Sequence, residues 1–207
     1  MRSTKAQVRT GILAARRSVA AQTRDAEAEV LATYLSAFVN PGQTVCAYVP
    51  VGSEPGSPEL IDALARREVI VLLPVARRGV DDAPLPLRWG RYRPGELVDA
   101  PFGLSEPEPP WLPAQAVAKA DVVVVPALAV DRRGMRLGRG AGFYDRSLLL
   151  ADPGAALVAV VRDDELVDRL ASNKCQRLVP VNVLIATHDT RLVTTCTVPR
   201  QNHRFLV

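Results

Sequence analysis

The chain has little cysteine, lysine, histidine or methionine: three, three, two and two among 207 residues. Each shortage removes a class of protein. Cys46, Cys175 and Cys196 are odd in number, scattered and without metal-ligand spacing, which argues against a disulfide framework or a zinc module and for free thiols in a reducing cytosol. Both histidines lie in the C-terminal tail, so the body offers no Ser-His-Asp or Cys-His nucleophile. No apolar stretch approaches the ~20 residues of a membrane span. The charges scattered through the first nineteen residues do not fit a secretory leader. Aromatic residues are only 5% of the chain. From Arg169 onward there are six Lys/Arg against one Asp/Glu, a charge of +5, so the remainder of a chain of net charge +4 carries −1. Residues 171–207 are thus an atypical basic tail. Without interleaved aromatics it is not expected to bind nucleic acid.

What remains is ordinary for a globular protein: 48% hydrophobic and 23% charged residues, enough for one sizeable core. No internal repeat, low-complexity segment or linker divides residues 1–207, so one domain is expected. The chain is organised around Asp121 to Leu148. Val122 to Val125, closed by Pro126, read as a buried strand of a parallel sheet. A loop follows with Asp131, Arg132, Arg133, Arg136 and Arg139, and with Gly134, Gly138, Gly140 and Gly142 among them. Phe143-Tyr144-Asp145 then opens a helical segment. Closely spaced glycines let a ligand approach backbone N–H groups, a helix start adds its positive end, and arginines add charge-assisted hydrogen bonds. The pattern suits a polyphosphate, and a carboxylate at Asp145 suits Mg²⁺ standing between it and phosphate oxygens. The glycine spacing matches neither G-x-G-x-x-G nor a Walker A, and by spacing alone a merely tight turn is as good a reading.

Taken in order, residues 3 to 20 read as a helix capped by Ser3, with Val8, Ile12, Ala15 and Val19 inward and Lys5, Arg9 and Arg16 on a basic stripe. That stripe is either a solvated face or one that meets an anion. A second helix spans about 24–39, capped by Thr23, with Asp25 and Glu27 at its positive end and Val30, Leu31, Tyr34, Leu35 and Phe38 buried. Strands are expected at 44–49, 69–73, within LPLRWGRY (85–92), and at 156–161. Helices are expected from Ser57-Pro58-Glu59, at 114–120 and at 163–170. The βαβα alternation predicts a layered α/β domain with a mostly parallel sheet. Ligands of such sheets sit at the carboxyl ends of strands, where Glu54 lies.

The string RLGRGAGFYDR, Arg136 to Arg146, carries more than its glycines. It resembles the signature of the 5-formyltetrahydrofolate cyclo-ligase (5,10-methenyltetrahydrofolate synthetase) family. The one departure is Ala141, where that family often has glycine or lysine. PFGLSEP, Pro101 to Pro107, resembles the family's G-[IL]-x-E-P element, and Lys5-x-x-x-Arg9 resembles its opening helix. The resemblance implies a single Rossmann-like three-layer domain. It implies ATP- and Mg²⁺-dependent cyclisation of 5-formyltetrahydrofolate to 5,10-methenyltetrahydrofolate, through phosphorylation of the formyl oxygen, with release of ADP and phosphate.

By the same resemblance, ATP is bound by Lys5, Arg9, Arg136, Leu137, Gly138, Arg139, Gly140, Ala141, Gly142, Phe143 and Tyr144. Folate is bound by Val49, Glu54, Arg139, Gly140, Ala141, Gly142 and Phe143, with Glu54 at the pterin or formamide end. Lys5, Arg139 and Tyr144 are the expected catalytic residues, and Asp145 and Asp189 the metal ligands. Trp89 and Tyr92 either stack on a ring of the ligand or pack in the core. The resemblance covers about residues 3 to 170 and then weakens. The family's closing aspartate is matched only by His188-Asp189, which comes late and lacks the accompanying glutamate. The expected partners are small molecules, with no nucleic acid and no membrane, in a cytoplasmic monomer. The rivals are a nucleotide- or folate-binding protein without turnover, and a phosphosugar isomerase or CoA-transferase-like enzyme of similar fold.

Overall fold

Successive valines of Val122–Val125 point to opposite faces of a sheet, and both faces are buried: Val122 and Val124 pack into one apolar cluster, Val123 and Val125 into another. A strand apolar on both sides has to sit inside a sheet with material above and below it. The computed structural model describes residues 4–170 and, as backbone, two strands beyond them. Its strands are β1 (Thr44–Cys46), β2 (Ile70–Val75), β3 (Arg88–Arg91), β4 (Leu97–Ala100), β5 (Leu104–Pro107), β6 (Val122–Pro126), β7 (Ala129–Asp131), β8 (Arg136–Leu137), β9 (Ala156–Val161), β10 (Leu166–Val167), β11 (Val183–Ala186) and β12 (Val193–Thr194). The α-helices are α1 (Lys5–Ser18), α2 (Ala21–Phe38), α3 (Pro58–Arg66) and α4 (Phe143–Ser147).

Seven strands form the main sheet in the order β12-β11-β9-β6-β1-β2-β3. The five inner strands run parallel, and the two edges, β12 and β3, are antiparallel. Leu31 and Leu35 of α2, Val39 at its C-terminal cap, and Leu60, Ile61 and Leu64 of α3 cover one face. Val117, Leu148, Leu87 and Trp89 cover the other. The architecture is therefore the mostly parallel, Rossmann-like α/β arrangement expected. Strand order reverses between β1 and β6, which opens a crevice at their carboxyl ends.

Several local expectations are corrected. Helix α1 is capped by Thr4, whose hydroxyl accepts from the Gln7 amide at 3.3 Å while the Gln7 side chain accepts from the Thr4 amide at 2.8 Å. Ser3 lies outside the described residues. Leu13 joins Val8 and Ile12 on the packed face, whereas Ala15 is exposed. Helix α2 begins before the predicted start, at Ala21, without a side-chain cap, and Thr23 is an exposed residue of its first turn. Residues 163–170 are not a helix: one 3-10 turn, Asp163–Glu165, leads into β10, which pairs with β7. The short helix expected at 114–120 is present as a 3-10 helix, Ala114–Lys119. Trp89 is a core side chain, and Tyr92 is buried with its hydroxyl donating to Asp62 at 2.5 Å. Burial and then Asp62 push the Tyr92 pKa up to about 12.

The largest departures are charged residues placed in the core. Arg16, on the basic stripe of α1, is 1% exposed and binds both oxygens of Glu165, at 2.6 and 2.7 Å, and the Ala127 carbonyl at 2.7 Å. Glu165 also accepts from the Arg162 amide at 2.8 Å. The Arg162 guanidinium grips Glu27 at 2.8 Å and donates to the Ser53 carbonyl at 3.3 Å. Glu27 is thus a core partner rather than a dipole-facing charge, and Glu165 is held in a turn by two arginine contacts. Asp131, fully buried, accepts from the amides of Arg133, Met135 and Leu170 at 2.9–3.0 Å. Burial pushes its pKa up, but these donors and Arg133 hold it below the ordinary value. Its contribution to stability is complete above about pH 4, the unfolded carboxylate range, and is lost as pH falls through the depressed value.

Removing one member of the Arg162–Glu27 pair strands its partner's charge. Glu27→Leu alone is expected to lower unfolding stability by about 3–5 kcal/mol. The double variant Glu27→Leu/Arg162→Met recovers a large part of that loss. Urea denaturation of the two variants and the parent checks the order, and a double variant less stable than the single would contradict it.

Candidate active site

The reversal between β1 and β6 is where the chain leaves the sheet twice into one cavity of about 350 Å³. After β1 come Tyr48, Val49, Val51 and Glu54, and after β6 come Ala127 and Leu128. Lys5 and Arg9 enter from α1, and the continuous run Arg136 to Asp145 forms one wall. The opposite wall comes from residues between 74 and 105, among them Arg78, Leu87, Phe102 and Leu104. The structure therefore brings together around one cavity every sequence-predicted ATP and folate residue, from Lys5 and Arg9 through Val49 and Glu54 to the glycine loop. Asp145 is there too. Asp189 lies outside the described residues.

Loop conformation explains two of the glycines. Gly140 has φ +109°, a region closed to other residues, and the position a Cβ would take is 3.5 Å from the Arg9 guanidinium carbon. Arg9 also donates to the Gly138 carbonyl at 2.9 Å, so α1 is clasped to the loop. Gly142, at φ +84°, precedes α4. That helix has five residues before a 3-10 turn takes over, so the helix end expected to meet a phosphate is short. Not all the loop's arginines face the cavity either. Arg132 pairs with Asp168 at 3.1 Å and Arg133 with Asp131 at 3.1 Å, which takes both to the far side.

Among the described residues, five cationic side chains line the cavity, Lys5, Arg9, Arg78, Arg136 and Arg139, against two carboxylates, Glu54 and Asp145. Both carboxylates are held. Arg139 binds Glu54 at 3.0 Å and the Val51 carbonyl at 3.2 Å, and Glu54 accepts from the Val51 amide at 3.0 Å. Arg136 binds Asp145 at 2.5 Å and the Pro126 carbonyl at 3.2 Å. Burial draws the Arg136 pKa down, and Asp145 opposes it. Among the described residues no cluster of three or more His, Cys, Asp or Glu could hold a metal alone. Lys5 makes no ion pair among them.

Tyr144 differs from these. It lines the cavity, and its hydroxyl, shut off from solvent, has no partner among the described residues. Burial first, then Glu54, Tyr48 and Cys46, raise its pKa well above the ordinary phenol, with Arg136 opposing, so it keeps its proton at neutral pH and can donate a hydrogen bond. Sequence reasoning missed Tyr48, Arg78 and Phe102. Phe102 holds a left-handed φ of 68°, is 56% exposed, and stands 6.1 Å from the Phe143 ring. It is the second residue of PFG, and nothing in that triplet signals a strained aromatic.

A model of the 5-formyltetrahydrofolate cyclo-ligase family matches residues 1–186. It runs past residue 170, where the resemblance was read to weaken, to the end of β11, and stops short of Asp189. A 5-formyltetrahydrofolate cyclo-ligase of Mycolicibacterium smegmatis is 60% identical over 166 residues, 80% of this chain and 86% of that protein. One from Escherichia coli K12 is 33% identical over 106 residues, 51% of this chain and 57% of that protein. The NMR structure of Aquifex aeolicus 5,10-methenyltetrahydrofolate synthetase superposes with a TM-score of 0.72 at 23% identity, covering 98% of this chain and 96% of that one, a likeness of fold.

The unpartnered Tyr144 hydroxyl makes a separable prediction. Tyr144→Phe removes no hydrogen bond among the described residues, so its thermal midpoint is expected to stay with the parent's or rise. If the hydroxyl is reserved for a ligand, the variant's affinity for ATP or folate in calorimetric titration falls about 3- to 10-fold, the worth of one hydrogen bond. A destabilised variant with unchanged affinity for both would contradict that reading.

Proposed function

Because the chain belongs to the 5-formyltetrahydrofolate cyclo-ligase family and is an enzyme of that kind, we propose that it uses ATP to close 5-formyltetrahydrofolate to 5,10-methenyltetrahydrofolate, releasing ADP and phosphate. The observation that carries the proposal is the cavity itself. Five cationic side chains against two carboxylates suit a polyphosphate, and its apolar and aromatic far wall suits a flat heterocycle.

The chemistry asks little covalent work of the protein. A formamide oxygen is a poor leaving group. Attack of that oxygen on the γ-phosphorus of ATP breaks the bond to ADP and leaves an iminium phosphate. The N10 nitrogen then attacks the former formyl carbon, loses its proton, and phosphate departs. Lys5, without an ion pair among the described residues, would meet the transferring phosphoryl group as a point charge. Arg9, held to the loop by Gly138, is already oriented, so little conformational freedom is lost when phosphate binds. Glu54, one-tenth exposed, would receive the pterin or formamide end, and Val49 would pack against it. Arg139 then turns from Glu54 to phosphate, and the Tyr144 hydroxyl donates to the developing negative charge. Magnesium fits this donor set, since it takes one or two carboxylates together with phosphate oxygens and water. Asp145, with Asp189 as the candidate second carboxylate, would hold it, and bound Mg²⁺ would neutralise phosphate charge.

The test is the absorbance of the methenyl product formed from 5-formyltetrahydrofolate. It should appear only with ATP and Mg²⁺ together; product without ATP would sink the proposal. Lys5→Ala should raise the KM for ATP about tenfold or more, the loss of a charge-assisted contact. Asp145→Asn should abolish turnover with the thermal midpoint near the parent's. Wild-type turnover with the same Mg²⁺ curve in that variant would leave Asp145 as no more than the partner of Arg136.

A further inference from the structure

Among the described residues, Arg78 is the one cation of the cavity that belongs neither to the glycine loop nor to α1, and no role in the reaction above uses it. It sits in a tight hairpin built by its own backbone: Gly79 N–H to the Ala83 carbonyl at 2.9 Å, Leu85 N–H to the Arg77 carbonyl at 3.1 Å, and a β-bridge from Arg78 to Pro84. The guanidinium carbon stands 5.4 Å from the centre of the Phe102 ring and 6.0 Å from that of Phe143. Its Nη1 donates to the Asp82 carbonyl at 2.7 Å and to the Asp82 carboxylate at 3.0 Å. Asp82 is 85% exposed, so this pair is a solvated one and easily exchanged. Nε and Nη2 have no partner among the described residues. A guanidinium fixed over two rings, with an open edge facing a cavity, is built to receive a planar anion.

The substrate of the proposed reaction is elongated and has such an anion at one end only. Its reacting formamide is on the pterin, which has to lie deep, beside the phosphate loop and the one-tenth exposed Glu54. The benzoyl-glutamate end must then leave through the mouth, which Phe102, 56% exposed, marks. We propose that Arg78 is a specificity residue that binds a glutamate carboxylate of the folate at the aromatic mouth of the cavity, a role that rests on the function proposed above.

The experiment compares 5-formyltetrahydrofolate with its analogue in which both glutamate carboxylates are primary amides. The readout is kcat/KM for each in the parent, Arg78→Met and Arg78→Lys, together with KM for ATP. The parent should prefer the acid about tenfold, as for one charge-assisted hydrogen bond. Arg78→Met, which keeps the apolar stem over the rings, should bring that preference close to one through KM for folate, with KM for ATP unmoved. Arg78→Lys, which keeps the charge but not the fork, should fall between. A parent indifferent to the amides, or an Arg78→Met variant that slows both substrates alike, would overturn the assignment while leaving the cyclo-ligase reading intact. A raised KM for ATP in place of folate would overturn it too, by giving Arg78 to the phosphates. A parent that turns over neither substrate would sink the proposed function and this inference with it.

Discussion

The site depends on a chain of buried charges, Arg16–Glu165–Arg162–Glu27, that runs beneath it. Each member is at most 6% exposed, and each charge has an opposite partner within 3 Å. Such an arrangement adds little net stability over a well-packed apolar one, because desolvation cancels most of the attraction. What it supplies is position. Arg16 ties α1, which bears Lys5 and Arg9, to the Ala127 carbonyl just after β6. Arg162 ties α2 and the end of β9 to the Ser53 carbonyl, next to Glu54. The two ends of the cavity that would meet phosphate and pterin are thus referred to one rigid set of bonds in the core.

Above that base the cavity keeps both of its carboxylates paired without a ligand. Arg139 holds Glu54 and Arg136 holds Asp145, so neither carboxylate faces the cavity bare. A bound polyphosphate would compete for these arginines, and release of Glu54 and Asp145 would then coincide with arrival of the groups proposed for them. Binding is in this sense an exchange of partners, which limits the cost of burying charge at each step.

The sheet and the site were legible in the sequence to different depths. The Val122–Val125 run, the Pro58 helix start and the βα alternation announced the parallel sheet because they are local patterns with few structural solutions. The glycine loop alone did not announce a ligand; the full Arg136–Arg146 string did, by resemblance. Arg16, Glu27 and Glu165 could not be read, since a charge on a helix stripe looks the same whether water or a partner more than a hundred residues away satisfies it. The segment at 163–170 failed for the same reason: its acidic turn looks helical until Glu165 is claimed by Arg16 and Leu166 by β7. Phe102 and Arg78 were invisible because a strained aromatic and a hairpin guanidinium carry no periodic signal.

The separation of Arg16 from its partner also sets a timetable for synthesis. Helix α1 is made before the strands it packs against, and Glu165 follows Arg16 by 149 positions. At about 5–20 residues per second, that interval is roughly 7 to 30 s. Through it the helix carries an arginine destined for the interior with nothing to neutralise it there, so water must keep it. The Arg16–Glu165 lock beside the cavity therefore cannot close before Glu165 has been made. A nascent chain halted before Glu165 would hold the glycine loop without the lock that seats the first helix upon it.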